Sequence, residues 1–224
     1  MKVLAFETST NIGSVAIAEN GKLIQEIQNP IFRAHSEFIN PAVETLLSKS
    51  NWKLSDIDFF ACGVGPGSFT GIRVSVTLAR TFSLSFNKCV RTLNSLEMLH
   101  LNSGHSNSLC LMNAFKNMVY VGIFEGNQLT FGPVAIKVSD LNQITSRIPK
   151  NCIGLGDGFN IFKNAIPVEL HTLVHLNPIR VDNPLASTLA LHASSTNYSG
   201  QTLDWNLVIP LYIRASEAEE NARK

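Results

Sequence analysis

Apolar and polar residues repeat with two different periods along this chain, and the changes of period mark its elements. Lys2 to Phe6 forms a short apolar run, Ser14 to Ala18 a second, and Lys22 to Ile27 follows directly after Asn20-Gly21. Asn-Gly between apolar runs favours a type I′ turn, because both residues tolerate positive φ, so the chain is predicted to open as a three-stranded meander. From Ser36 to Lys49 the period becomes helical, with Phe38, Ile39, Ala42, Val43, Leu46 and Leu47 recurring on one side. Pro41 is predicted to kink that helix or to mark its first turns. Phe59 to Val64 then reads as a buried strand, Gly65-Pro66-Gly67-Ser68-Phe69-Thr70-Gly71 as a turn, and Ile72 to Phe86 as a second helix.

Beyond Arg91 the pattern is less regular. Ser95 to Leu101 has helical character, while Ser108 to Ala114, Met118 to Phe124 and Leu129 to Val138 read as strands, with Asn127 near a turn. Gly154-Leu155-Gly156-Asp157-Gly158 is a second glycine turn, Pro184 to Ala193 a helix with proline near its start, and Val208 to Ile213 a final strand. The tail from Ser216 to Lys224 is polar and is expected to fray. No internal sequence repeat, low-complexity stretch or clear linker interrupts the chain.

The second helix has more apolar surface than one sheet requires. At 100° per residue from Ile72, the side chains of Val76, Leu78, Ala79, Phe82 and Phe86 fall in one sector, and Val74 widens the apolar arc to roughly 200°. The first helix is similarly broad. Either the two helices cover each other, or one face of each packs on the sheet while another forms a shared subunit surface.

Composition narrows the class of function. The 224 residues carry 18 Lys and Arg against 17 Asp and Glu, for a net charge of +1, with 45% hydrophobic and 16% charged residues. This length allows one large domain or two small lobes, and so low a charge fraction fits a surface partly covered by another subunit. There is neither the basic excess nor the Lys/Arg stripe of a protein that holds nucleic acid unaided. Cys62, Cys89, Cys110 and Cys152 include no C-x-x-C pair, which argues against a zinc knuckle or dithiol motif and fits a reducing cytosol. No run approaches the about 18 apolar residues of a membrane span, and Val3 to Phe6 is too short for a signal peptide, so a soluble, cytoplasmic protein is expected.

Two segments could carry chemistry. The glycines of the 65–71 turn would let backbone N–H groups converge ahead of a helix N-terminus, which suits an anion. The turn lacks the Gly-Lys-Ser/Thr ending of a Walker A loop, and Pro66 and Thr70 flank Ser68 where a nucleophile elbow has glycines. It reads as a tight structural turn or as a ligand site. Glu7, Thr8, Ser9 and Thr10 could form a phosphate-handling hairpin, the hydroxyls donating to phosphate oxygens and the carboxylate orienting a metal or water. With Gly65, Gly67 and Ser68 they are the candidates for a vestigial phosphate or nucleotide loop. His171 and His175 are spaced i,i+4 but lack the Glu of H-E-x-x-H, so the six histidines read as core or surface residues and Asp157 as a turn former. No catalytic residue and no metal ligand set is assigned.

Several segments together carry a resemblance. Leu4-Ala5-Phe6-Glu7-Thr8-Ser9-Thr10, Arg33-Ala34-His35-Ser36-Glu37, Gly65-Pro66-Gly67-Ser68-Phe69-Thr70-Gly71-Ile72-Arg73 and Pro210-Leu211-Tyr212-Ile213-Arg214 look like signature segments of the TsaB (YeaZ) family, bacterial tRNA threonylcarbamoyladenosine biosynthesis proteins. The resemblance implies an α/β, two-lobed actin-like ATPase superfamily fold, with ribonuclease H-like mixed sheets flanked by helices and a reduced second lobe. Residues 1–100 would form the N-terminal lobe and 101–224 the smaller one, the last segment packing back on the first lobe.

The resemblance further implies a noncatalytic scaffold that activates the catalytic paralogue TsaD, with the ATPase TsaE as third partner and a homodimer when alone. The assembly transfers threonylcarbamoyl from threonylcarbamoyl-AMP to adenosine next to the anticodon, in tRNAs reading codons that begin with A. Partner binding falls on Phe38, Ile39, Ala42, Val43, Leu46 and Leu47 of the first helix and Val74, Leu78 and Phe82 of the second. ATP and magnesium would serve the partner subunits, tRNA would be held through the complex, and no cofactor is assigned to this chain. Departures from the pattern are Glu7 for the superfamily's Asp, Ile39 where the catalytic paralogue has a second metal-binding His, and Asn113-Ala114-Phe115 for an Asp-Ala-Arg-like segment. The rival readings are a glycoprotease-like peptidase using Ser68 and an independent ATP-binding protein using Glu7 and the glycine turns.

Overall fold

Asn20 and Gly21 both adopt positive φ, 51° and 74°. They turn β2 (Gly13–Glu19) back against β3 (Lys22–Asn29), and β1 (Lys2–Glu7) pairs antiparallel with β2, completing the meander. The computed structural model describes residues 1–29, 35–176 and 181–214, so Arg33, Ala34 and the tail from Ser216 lie outside the described residues.

The chain divides into two compact units, Met1–Met98 with Pro184–Leu211, and Leu99–Asn183 with the residues from Tyr212 on. In the first, α1 (His35–Ser50) runs through Pro41 and is followed by β4 (Phe59–Gly63), α2 (Phe69–Phe86) and β5 (Val90–Leu93). β4 lies parallel to β1, β5 lies parallel to β4, and β11 (Gln201–Leu203) closes the far edge antiparallel to β5. The sheet covers both faces with helices. Leu4, Phe6, Val15 and Ile17 share one core with Ile39, Val43 and Leu46 of α1 and Ile72, Val76 and Ala79 of α2. By the pleat, Ala5, Ala16 and Ala18 point the other way, where α6 (Ala186–Ala193) packs on β1, β2 and β4. Small residues there let the helix approach closely.

The second unit contains β6 (Asn107–Asn113), β7 (Met118–Glu125), β8 (Gln128–Lys137), β9 (Cys152–Leu155) and β10 (Val174–Leu176). α3 (Ser95–Ser103) leads into it, and its helices α4 (Gly158–Ile161) and α5 (Val168–Leu173) are short. β6, β7 and β8 form an antiparallel meander, and β9 and then β10 add parallel to β6. The order β10-β9-β6-β7-β8 repeats β5-β4-β1-β2-β3 of the first sheet. Topology is thus duplicated although the sequence shows no repeat.

Two expectations are corrected. Val208 to Ile213 is not a strand. Val208 is buried in the first unit's core, Pro210 has no N–H for a ladder, and the segment's tie to the sheet is Leu211 N–H to the Val64 carbonyl at 2.7 Å. The strand expected over Ser108 to Ala114 ends at Asn113, because Ala114 N–H turns back to the Met118 carbonyl.

Candidate functional site

Helix α2 begins three residues earlier than its apolar repeat. Ser68 is its N-cap, its Oγ accepting from Gly71 N–H at 3.2 Å, and Asn87 ends it in the left-handed conformation. Ile72, Ser75, Val76, Ala79 and Ser83 are buried against the sheet. Val74, Leu78 and Phe82 are partly buried on the flank of that stripe, and Arg73, Thr77 and Thr81 are exposed. Phe82 stacks on Phe6 and Phe60, with ring centroids 5.8 and 5.4 Å apart.

Between the outer face of α2 and α1 lies a groove of about 340 Å³ lined by Asn40, Thr70, Arg73, Val74, Thr77 and Leu78. Val74 and Leu78 supply its apolar floor, and the Arg73 guanidinium lies 4.0 Å from the Phe69 ring centroid. The two helices touch, yet both lie mainly on the sheet. Of the nine residues expected at a subunit surface, Ile39, Ala42, Val43, Leu46 and Leu47 are buried inside the unit. Their role in the folded chain is core packing, since the broad arc of α1 is consumed by β2 and β3. Phe38, Val74, Leu78 and Phe82 retain accessible surface.

The glycine turn and the first hairpin close on each other. Ser68 N–H donates to the Ser9 carbonyl at 2.7 Å, the Thr8 hydroxyl to the Gly71 carbonyl at 2.7 Å, and the Ser9 and Ser95 hydroxyls are 2.9 Å apart. A Cβ on Gly67 would lie 2.2 Å from the Ser9 carbonyl oxygen, and one on Gly71 1.9 Å from that of Thr8. These glycines permit backbone contact rather than ligand approach. Ser95 N–H reaches the Gly65 carbonyl at 2.8 Å, while Thr10 Oγ1 bonds Ile12 at the half-buried tip. Thr8 and Ser9 therefore direct their hydroxyls into the protein.

Glu7 sits beneath this seam and is fully buried. One carboxyl oxygen, Oε1, accepts from Ser9 N–H at 2.6 Å, and Oε2 has no partner. Burial pushes its pKa from the ordinary 4.5 up to about 7, against the opposing bonds from Ser9 and Thr8. Burial, with the Glu7 charge nearby, also pushes the Cys62 thiol well up. A Cβ on Gly63 would lie 1.6 Å from Oε2, which fixes glycine opposite the carboxyl. Among the described residues, no group of three or more His, Cys, Asp or Glu is arranged to hold a metal ion.

The second unit places Asp157 beside the altered segment, its carboxylate accepting from Asn113 N–H at 2.8 Å. Burial pushes Asp157 above the usual carboxylate range. His100 is buried, stacks on Phe124 at 4.4 Å and has Nδ1 2.8 Å from Ser108 Oγ, a packed core histidine whose pKa is lowered by burial.

The family model described as TsaD: tRNA N6-adenosine threonylcarbamoyltransferase matches residues 29–222. The tRNA threonylcarbamoyladenosine biosynthesis protein TsaB of Bacillus subtilis (strain 168) is 27% identical over 98% of this chain and 96% of its own length. The protein of that name from Buchnera aphidicola subsp. Schizaphis graminum (strain Sg) is 27% identical over 78% of this chain and 88% of its own. The solved structure of YeaZ from Pseudomonas aeruginosa superposes with a TM-score of 0.79 at 23% identity, covering 94% of this chain and 99% of that one. That likeness establishes the fold, the actin-like ATPase type with two ribonuclease H-like mixed sheets, the second reduced to five strands.

Proposed function

The chain belongs to the family described as TsaD: tRNA N6-adenosine threonylcarbamoyltransferase, and from that premise we propose that it is an accessory subunit of the tRNA threonylcarbamoyladenosine machinery rather than its catalyst. Relatives that cover 98% and 78% of the chain are named TsaB, a tRNA threonylcarbamoyladenosine biosynthesis protein. In this reading the catalytic paralogue, TsaD, carries the chemistry, in which the adenosine N6 amine displaces AMP from the threonylcarbamoyl carbonyl carbon. The present chain stabilises that paralogue, TsaE joins as third subunit, and the chain pairs with itself when alone. ATP and magnesium serve the partner subunits, and the assembly works in the cytoplasm. Among the described residues no helix is long and apolar enough to cross a membrane.

The observation that carries this reading is the closed seam between hairpin and glycine turn. Thr8 bonds Gly71, and Ser9 bonds Ser68 and Ser95, where a nucleotide-using relative needs open donors, while α2 keeps the Val74 and Leu78 floor at the surface. Ser68 Oγ serves as a helix cap, which offers the peptidase reading no activated nucleophile.

The test is light scattering of the chain alone and with its TsaD, paired with a tRNA threonylcarbamoylation assay containing TsaE. A stable interface of about 1,600 Å² rests on a few central anchors, so Leu78→Asp is expected to abolish pairing and activity together. Thr77→Arg, at an exposed position of the same groove, imposes bulk and charge without touching the core. Normal pairing by folded Leu78→Asp and Thr77→Arg proteins would refute the assignment of this face.

A further inference from the structure

Ser9 is the hub of the seam between the first hairpin and the glycine turn, and it rests on Glu7. Its N–H donates to Glu7 Oε1 at 2.6 Å, and its hydroxyl faces the same carboxyl. Its Oγ accepts from the Ser95 hydroxyl at 2.9 Å, and its carbonyl accepts from Ser68 N–H at 2.7 Å. Ser68 is in turn the N-cap of α2. One residue therefore joins a buried carboxyl to the start of an 18-residue helix, whose first turns carry Thr70, Arg73 and Val74 of the groove.

The carboxyl is satisfied on one side only. Among the described residues Oε2 has no hydrogen-bond partner, and it occupies the space that a Cβ on Gly63 would fill, near the Met98 methyl. The neighbouring elements bring no described cation to it. β4 contributes the Cys62 thiol, and α3 contributes Ser95 and Met98, while Glu97 of that helix is engaged by Asn94. α2 contributes Ser75, whose hydroxyl donates to the Gly63 carbonyl at 3.0 Å. β2 contributes Ser14 opposite Glu7, and its Oγ accepts from Ala186 N–H of α6 at 2.8 Å. The titratable residue of α6, His192, lies in its last turn, at the other end of that helix. A neutral carboxyl tolerates an unpartnered oxygen at far lower cost than a carboxylate does, and burial accordingly pushes Glu7 up to about 7.

Once ionised, Oε2 needs a donor, and the polar groups that lead from it to the partly exposed Ser68 are those of Ser9 and Ser95. We propose that the Glu7 carboxyl is a proton-controlled latch on α2: neutral, it lets Ser9 hold the seam closed, and ionised, it admits water along Ser9 and releases Ser68 and the first turn of the helix. Below about pH 4.5 the carboxyl is neutral whether the seam is open or closed. From there to about pH 7 only the open form ionises, so opening grows with pH until both forms are charged. The latch belongs to this chain and does not rest on the accessory-subunit reading; a partner that feels it through the groove does.

The experiment is native-state hydrogen exchange of the full chain, read by NMR at several sub-denaturing urea concentrations. Protection of Ser68 N–H in wild type is divided by that in Glu7→Gln, which cancels the intrinsic pH dependence of exchange. That ratio is expected to fall about 70-fold between pH 5 and pH 8, for a carboxyl shifted from 4.5 to about 7. The fall should be indifferent to urea, because a local opening exposes little surface. The Asn87 amide, bonded to the Ser83 carbonyl at the opposite end of α2, is expected to keep one ratio throughout. A Ser68 ratio that does not change with pH would overturn the latch. So would a Ser68 urea dependence equal to that of Leu4 and Ile17 in the sheet, since Glu7 would then act through global unfolding alone. If Glu7→Gln does not fold, wild-type Ser68 against wild-type Asn87 decides, and a constant ratio between them overturns the latch. Added TsaD is expected to slow Ser68 exchange at pH 8. Pairing that leaves this exchange unchanged would count against the groove as the partner site, while the latch, measured on the chain alone, would stand.

Discussion

Glu7 gives the most direct quantitative test of the first unit's interior. Its carboxyl is completely enclosed, with Ser9 N–H on one oxygen and no partner on the other, and burial raises its pKa from 4.5 to about 7. Below about pH 4.5 the group is protonated in both folded and unfolded chains and does not affect stability. As the pH rises toward 7 the unfolded chain releases this proton while the folded one retains it, so stability falls. Above pH 7 both are ionised and the loss is complete. A rise from 4.5 to about 7 corresponds to a loss of about 3 kcal/mol. Glu7→Gln keeps the shape and the Oε1 acceptor but removes the charge. The variant is therefore expected to match wild type near pH 4.5 and to exceed it by about 3 kcal/mol at pH 8.

Urea unfolding followed by tryptophan fluorescence is the assay. Trp52 and Trp205 both belong to the first unit, so the signal reports on the unit that contains Glu7. His100 and His192, whose pKa values burial lowers, contribute the opposite slope below about pH 6.5. They are common to both proteins and cancel in the difference. A Glu7→Gln protein no more stable than wild type at pH 8, or a difference that does not grow between pH 5 and 7, would refute the account of a strained buried carboxyl.

Gly71→Ala is expected to destabilise the first unit by about 3 kcal/mol, because the new Cβ would sit 1.9 Å from the Thr8 carbonyl oxygen and only backbone movement relieves it; the same urea titration measures it. Ser68→Ala removes the cap of α2 and is expected to cost about 1 kcal/mol while leaving a proteolysis assay at its wild-type reading. Cleavage of a casein substrate by wild type but not by the variant would reverse that conclusion. Isothermal titration with ATP and magnesium is expected to give no heat at micromolar concentrations, and saturable heat would reopen the Glu7 loop as a nucleotide site.

Much of the fold is legible because periodicity reports burial. The opening meander, both long helices and the strands β4, β6 and β7 follow from alternation, helical spacing and the Asn20-Gly21 turn. β5, β9, β10 and β11 span only three or four residues each, too few to express a period, and their existence is fixed by neighbouring edges that a linear reading does not contain. The duplicated strand order is hidden for a related reason: strand order and direction repeat between the units, while the residues that build the strands do not.

The helix faces show where periodicity reaches its limit. An apolar arc of a given width says how much surface a helix must bury, not what buries it. On α1 the sheet takes Ile39, Ala42, Val43, Leu46 and Leu47, and on α2 it takes Ile72, Val76 and Ala79 but leaves Val74 and Leu78 at the groove. Hydroxyls pose the same problem in polar form. Thr8, Ser9 and Ser68 have the composition of a phosphate loop, yet Gly67 and Gly71 bring backbone close enough to satisfy those groups internally. Phe115 and Lys116 carry no turn signal at all, since neither residue type favours positive φ; hydrogen bonds to Asn113 and from Met118 and Arg214 support their conformation.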